Sequence, residues 1–484
     1  MRRTLSILAL AAIGCTWAGE IPKHPRDLKY PPLNFTPPHA ADYRHKLASG
    51  ATAYLVEDHE LPLVHLSVLV RTGEYLDPSG KKGLAQLTGS QIRSGGTESK
   101  KPAEFDEDAA FLAAQISSGA GPLEGQASLD CLSKDIDAGL AMFVDMLHHP
   151  GFAEDRLQLA RNQALQGMER RNDNTAAIEL REFERLLRGD RFFSTIPSTK
   201  ASVEAITRQD MLDFHAKYYY PGNFVLAVSG DFQTQDMLGK LDKALAGWTN
   251  RAGAVPRPPK PDFAPSGGVY IVDKKVNQGR VRMGHLGVMY TNPDHTAITV
   301  MNGILGGSGF TSRIMSRVRS DEGLAYQAGS IFQHGYYYDG QFAVVFQSKS
   351  ASVAQAVAIV REEIDRMRTK PVTPEELEIE KGAVVESFPR RFATASLRAA
   401  QFAADDYNGV PADYWDKYRE RVQALKVADV QRVAAKYLQP DKLIVLVVGD
   451  ADAIERGNPD RPQYKLGPAT RIPLPDPLTM VYPK

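Results

Sequence analysis

The chain is 484 residues long, more than one hydrophobic core of ordinary size accommodates, so at least two folding units are expected. Lys+Arg and Asp+Glu both number 58, and with no net charge and no basic run the sequence excludes the electrostatic footprint of a nucleic-acid-binding protein. Hydrophobic residues at 43% and charged residues at 24% match a soluble globular profile.

Residues 1–18 read as a secretory signal: Arg2 and Arg3 form a basic start, and residues 5–13 form an apolar run too short to span a bilayer comfortably. Small residues follow. Both cleavage after Ala18 and lipid attachment at Cys15, in the box-like Ala12-Ile13-Gly14-Cys15, are open. The body is therefore expected to be exported to the periplasm or cell envelope of a bacterium, with Cys15 as the alternative lipid anchor. No transmembrane helix is expected in the mature chain. Cys131 then has no intramolecular partner and reads as a buried thiol on a strand.

After a Pro-rich leader (21–40), strands at 53–56 and 63–70 flank the polar turn 57–60 and read as a hairpin-like pair. GKKGLAQLTGSQIRSGG (80–96) has the shape of an active-site helix without reactive groups. A helix at 104–116, a strand at 123–132 and a helix capped by Ser133 follow. In that last helix Ile136, Leu140, Phe143 and Leu147 recur at helical spacing, and Pro150-Gly151 ends it. One long helical stretch is expected at 154–188. The segment 251–267 is Pro-rich and reads as a semi-rigid linker. Beyond it come strands at 268–272, 281–289 and 341–346, with helices at 296–305 and 353–367.

The pattern repeats. At an offset of 219, Lys217-Tyr218 lies over Lys436-Tyr437, Pro221 over Pro440, and Gly230-Asp231 over Gly449-Asp450. At 220, Arg170-Arg171 lies over Arg390-Arg391; at 240, Gly83-Leu84-Ala85 lies over Gly323-Leu324-Ala325, which equates Gln86 with Tyr326. These matches favour duplication. The expected fold class is α+β: two homologous α/β halves, each a mostly antiparallel sheet packed with helices, joined by the Pro-rich linker. The halves are expected at 41–250 and 268–455, with a C-terminal tail at 456–484.

The motifs GLAQ, DMLHHPGFAEDRL and LGGSGFTSRIMSRVRSDEGLAY, with the two strand-Gly-Asp endings, resemble the insulinase/pitrilysin family of inverted-zincin metallopeptidases. The resemblance is to its short two-domain, processing-peptidase-like branch and covers roughly residues 47–450. It implies an H-x-x-E-H helix whose histidines hold zinc and whose glutamate activates water. Those histidines would fall on Gln86 and Ser90, the glutamate on Gly89, and the third ligand on Gly167. All four positions lack the group required, so no metal is expected on this chain and zinc is expected on a partner. Glu169 is two positions further along a helix, about 200° around it. Among the histidines, His148 and His149 suit a helix end, whereas His65, His215 and His285 suit packing or surface roles.

The resemblance also implies that Arg319 and Tyr326, seven apart, form the arginine–tyrosine pair contributed by the zinc-free half. A tyrosine hydroxyl can donate to an oxyanion, and an arginine fork can hold a substrate carbonyl or carboxylate. In isolation a core tyrosine and a surface arginine are the commoner fates, and nearby Arg317 is the alternative register. Gly306, Gly307, Ser308 and Gly309 match a flexible substrate loop. GQFAVVFQS (340–348) alternates as a half-buried strand, and family members capture extended peptide at a sheet edge, which edge being open here. Tyr218–220 and Tyr336–338 read as packing, and Glu362, Glu363, Glu375 and Glu376 as a solvated helix face.

The expected function is a non-catalytic, substrate-binding or regulatory subunit of a heteromeric zinc metallopeptidase acting on peptides. It would pair with a zinc-motif-bearing homologue and be active only with it. The alternative is a catalytically inactive structural or peptide-binding homologue.

Overall fold

Runs of aliphatic and β-branched residues bounded by Gly, Pro and Asp build two sheets. The computed structural model describes residues 28, 33–251 and 253–483, so the expected signal sequence and Cys15 lie outside the described residues. Contacts divide the chain into Met1–Thr36 and Pro37–Lys484, and the architecture below is that of the second unit.

The first sheet contains β1 (Arg44–Lys46), β2 (Thr52–Glu57), β3 (Leu63–Val70), β4 (Gln115–Ala120), β5 (Gly125–Leu132) and β6 (Phe224–Gly230). Their spatial order is β1-β2-β6-β3-β5-β4, antiparallel except where β2 meets β6. The second contains β7 (Gly268–Asp273), β8 (Gln278–Leu286), β9 (Val288–Met289), β10 (Ala325–Gly335), β11 (Gln341–Lys349), β12 (Ile444–Gly449) and β13 (Thr470–Ile472). Its order is β13-β7-β12-β8-β11-β10-β9.

The duplication is visible in register. Glu57 pairs with Gly230 in the parallel β2–β6 ladder, and Asp273 pairs with Gly449 in the parallel β7–β12 ladder. The preceding helices, Arg208–Tyr218 and Val427–Tyr437, keep the same 219-residue offset. The α+β fold of two related sheet-and-helix halves is as expected.

Several local expectations are corrected. Strands β2 and β3 do not form a hairpin, because β6 lies between them, parallel to one and antiparallel to the other. Six of the seven β6 residues are buried, so this strand needs a neighbour on each edge and layers on both faces. The helix expected to reach Ile116 spans Pro102–Phe111; Ala113 takes a left-handed φ of 49°, and Ile116, in β4, pairs with Leu129 of β5. Ser133 does not cap the helix Ile136–His148, since its hydroxyl donates to Asp231 Oδ2 at 3.0 Å. The four apolar residues expected to recur on that helix are all buried. Strand β11 is central rather than half-buried, with β8 and β10 on its two sides and its first four residues buried.

The stretch 154–188 is two helices, Glu154–Glu169 and Thr175–Arg188. The break lets the second helix leave its own half. It packs on β12 and β8 of the second sheet, burying Ile178, Phe183 and Leu187 against Ile444, Leu446 and Val448. The helix Ala395–Asn408 makes the reciprocal crossing onto β6, β2 and β3 of the first sheet. The two helices start 220 residues apart, each on a capping side chain. Asn174 Oδ1 accepts from the backbone N–H groups of Ala176 and Ala177, and Thr394 Oγ1 accepts from that of Leu397. The C-terminal segment also ties in: β13 pairs with β7, and the Tyr482 hydroxyl donates to Glu182.

Candidate functional site

The helix Leu84–Ser94 begins at Gly83, whose φ of +102° places it in the left-handed region that glycine tolerates. Asp77 caps it, accepting from Gly83 N at 2.9 Å and Ala85 N at 2.8 Å. Leu84, Ala85, Leu87 and Ile92 are buried, whereas Gln86 is exposed and Ser90 is half-buried. The Ser90 hydroxyl donates to Leu87 O at 3.0 Å. Gly89 faces β4, where a Cβ would stand 2.4 Å from Ala120 N and 2.5 Å from Gly119 C. The Ser118 hydroxyl donates to Gly89 O at 2.7 Å and fastens the contact.

The helix Glu154–Glu169 packs beside Leu84–Ser94, with Gly167 exposed on it. These two helices carry the four positions onto which the resemblance places the zinc ligands and the base, and they supply one amide, one hydroxyl and two hydrogens. That set does not fit zinc, which takes imidazole, thiolate and carboxylate donors. Among the described residues no group of three or more His, Cys, Asp or Glu is placed to hold a metal. His148 stacks on Trp248, while His215 and His285 are buried.

Arg319 lies in the π-helical turn Ser316–Asp321. Gly323 then adopts φ +62° and turns the chain into β10, whose second residue is Tyr326. The Arg319 guanidinium stands 4.5 Å from the Tyr326 ring centroid and 4.6 Å from that of Phe310. Tyr326 is 77% exposed and Phe310 66%, so this is neither a core tyrosine nor an unattached surface arginine. Stacking engages the flat face of the guanidinium and leaves its N–H edges available. Arg317 instead faces the helix Val353–Thr369, within 3.7 Å of Glu362 and 3.9 Å of Glu363, which separates the two registers.

Phe310 was not apparent from the sequence. Its one signal is an aromatic residue at the end of a glycine-rich turn, where little surrounds it. The glycine segment is mostly anchored: a Cβ on Gly306 would lie 2.6 Å from Ser330 N, and the Ser308 hydroxyl donates to the buried Glu380. Gly309, with φ +57° and open space around it, is the free tip.

The equivalence of Gln86 and Tyr326 does not hold. Gly83 opens a helix, whereas Gly323 opens a strand. By position between strands, the counterpart of Leu84–Ser94 is His295–Asn302, and β10 is the counterpart of β4. Gly-Leu-Ala encodes the left-handed turn and not the element that follows.

Two further readings are corrected. Glu363 is 2% exposed, and Glu376 accepts from Arg313 Nε at 2.6 Å and Nη2 at 2.8 Å, so only Glu362 and Glu375 are solvated. The Arg313 hydrogen bond, opposed by desolvation, holds the Glu376 carboxyl down to about 2. Tyr218, Tyr219 and Tyr220 are packed as expected, but Tyr336, Tyr337 and Tyr338 line a cavity of about 960 Å³. They sit at the β10–β11 turn, where three consecutive rings cannot all face the sheet.

Comparison with known proteins accords with this picture. The family profile described as "Peptidase M16 inactive domain" matches residues 205–384. An uncharacterized zinc protease of Rickettsia bellii (strain RML369-C) is 23% identical over 337 residues, 69% of this chain and 79% of that protein. The non-peptidase homolog YmxG of Helicobacter pylori (strain ATCC 700392 / 26695) is 23% identical over 411 residues, 81% of this chain and 90% of its own. The crystal structure of a peptidase M16 inactive domain from Pseudomonas fluorescens superposes with a TM-score of 0.76 at 26% identity, covering 84% of this chain and 97% of that one. The periplasmic protease PqqL from Escherichia coli shares the fold, with a TM-score of 0.70 at 12% identity over 90% of this chain and 49% of its own. With the profile, the alignments and the two-half fold in agreement, residues 205–384 match the M16 inactive-domain family and the chain as a whole is similar to M16, insulinase-like proteins.

Proposed function

We propose that this chain is a catalytically inactive M16 subunit that presents Arg319 and Tyr326 to a peptide at a zinc centre carried by a partner of the same fold. The observation that supports the reading most is the exposed stack of Arg319 on Tyr326 and Phe310, retained in a chain whose four ligand positions hold Gln86, Gly89, Ser90 and Gly167. The partner's zinc would supply the activated water. On this chain, the Tyr326 hydroxyl donates to the oxyanion that forms on the substrate carbonyl. Arg319 holds a neighbouring carbonyl or carboxylate through its free N–H edges, and Gly309 at the loop tip yields to the peptide. In this reading residues 1–18 direct the chain to the bacterial envelope, by release after Ala18 or by anchorage at Cys15.

The experiment is zinc per chain in the tagged protein isolated gently from its own envelope together with whatever accompanies it. About one zinc per two chains, with a second polypeptide of similar size and peptide cleavage slowed by Tyr326→Phe, supports the divided site. Zinc near zero and no partner would favour a structural or peptide-binding role. Stoichiometric zinc on this chain alone overturns the ligand reading.

A further inference from the structure

The cavity of about 960 Å³ is lined by neither Arg319 nor Tyr326. Two hairpin turns and two exchanged helices build its wall. Glu124 comes from the β4–β5 turn and Tyr336, Tyr337 and Tyr338 from the β10–β11 turn; Arg188 lies on the helix Thr175–Arg188 and Tyr407 on Ala395–Asn408. These elements correspond in pairs through the duplication, so the cavity lies where the two copies of the unit meet. It is open to solvent: Leu180 in its wall is 48% exposed and Tyr336 is 40% exposed.

The wall's charges are unevenly satisfied. Arg188 donates to Glu184 Oε2 at 2.8 Å and Asp339 O at 3.0 Å, and its guanidinium lies 4.9 Å from the Tyr338 ring centroid. Arg181 donates to Glu182 at 2.8 Å and to Asn172 at 3.1 Å. Arg71, outside the lining, is held 4.9 Å from the centre of the Tyr407 ring. His334 is kept neutral by burial, which lowers its pKa to about 3. Of the two lining carboxylates, Glu184 accepts from Arg188, whereas the Glu124 side chain makes no hydrogen bond or ion pair among the described residues. Its neighbours include Tyr337 and Tyr407, both of which feel its charge.

A half-buried carboxylate whose side chain has no partner, set among tyrosine rings, is a poor structural device and a good receptor for a cation. Cations bind the faces of such rings, and a charge-assisted hydrogen bond to a carboxylate fixes their position. Beside polar residues such as Gln126, Ser194 and Asn408, the wall includes Leu69, Leu123 and Leu180, which can cover a hydrocarbon stem. We infer that this cavity binds an organic cation, a guanidinium or ammonium group on an apolar stem such as a basic peptide side chain, with its charge against Glu124 and its stem among Tyr336, Tyr337, Tyr338 and Tyr407. The site needs no zinc-bearing partner and stands on this chain alone.

The test is calorimetric titration of the full chain with N-benzoyl-arginine amide and with N-benzoyl-citrulline amide, which has nearly the same shape and no charge. The arginine compound is expected to bind at least about tenfold more tightly, the factor that about 1.4 kcal/mol of charge recognition produces. Glu124→Gln should abolish that preference while leaving thermal unfolding unchanged, and Tyr337→Ala should weaken the arginine compound with the same control. Equal binding of the two compounds, no binding of the arginine compound at millimolar concentration, or a preference that survives Glu124→Gln overturns the assignment. Tighter binding of the anion N-benzoylglycine would overturn it as well, and would direct attention to Arg71.

Discussion

Gly89 and Ala120 approach so closely that a Cβ on Gly89 would stand 2.4 Å from the Ala120 backbone nitrogen. The position onto which the resemblance to inverted-zincin peptidases carries their catalytic glutamate is therefore closed by backbone. Gly89→Ala is expected to destabilise by about 1–3 kcal/mol, the range for overpacking a tight contact. A fourfold variant, Gln86→His, Gly89→Glu, Ser90→His and Gly167→Glu, should not yield a folded zinc protein. Denaturant unfolding and metal content check this; a cooperative unfolding transition with one zinc per chain would refute it.

Tyr326 and Arg319 should separate function from fold. Both lie in an exposed stack, so Tyr326→Phe and Arg319→Ala are expected to change stability by no more than about 0.5 kcal/mol. In the assembled peptidase, loss of the Tyr326 hydroxyl should cost about 10²–10³-fold in turnover if it serves the oxyanion. Unfolding curves and peptide cleavage, measured on the same preparations, decide between the roles. A variant that loses stability rather than turnover would make the pair a fold element.

Glu179 carries the exchange of helices. It is 0% exposed and accepts from Arg280 and Arg282 on β8, so the helix Thr175–Arg188 is bound to the opposite sheet by charge as well as by Ile178 and Phe183. Glu179→Ala leaves two guanidinium groups facing a low-dielectric contact and should cost about 3–5 kcal/mol. The effect is expected in equilibrium unfolding. A cost below about 1 kcal/mol would mean that the apolar contacts alone hold the helix.

His285 should make the fold acid-sensitive. Its Nδ1–H donates to Leu286 O at 2.7 Å, and Nε2 accepts from Gln439 N at 3.1 Å, an arrangement only the neutral ring satisfies. Burial lowers its pKa from 6.5 to about 4, and that of His215 likewise. A depressed folded-state pKa means that the unfolded chain binds the proton first. The stability contributed is complete above 6.5 and lost as pH falls from 6.5 towards about 4. Melting temperature against pH should fall through that window, and less steeply in His285→Gln. An identical slope in the variant would exclude His285 as a source.

The site was legible in part, and for physical reasons. Three of the four positions that the resemblance assigns to the metal site, Gln86, Gly89 and Ser90, share the helix Leu84–Ser94, because motif spacing within a helix is local. Arg319 and Tyr326 were paired by the resemblance, and the single turn into β10 that separates them brings the guanidinium onto the ring. Phe310 could not, since nothing in a one-dimensional pattern reports that its ring lies against the same guanidinium. The tyrosines at 336–338 read as packing because an aromatic run looks alike whether it fills a core or lines a cavity. Glu363 and Glu376 read as solvated because a helix pattern does not show which arginine lies opposite.

Composition, periodicity and the 219-residue repeat sufficed for two related α+β halves. The tertiary structure decided which surfaces meet. Apolar spacing states that a strand or helix must bury a face, but not against what. Hence β6 could enter between β2 and β3, and the stretch 154–188 could break so that its second helix crosses to the other sheet. The distance between Gly89 and β4 and the cavity between the two hairpin turns depend on those long-range choices, which local sequence does not encode.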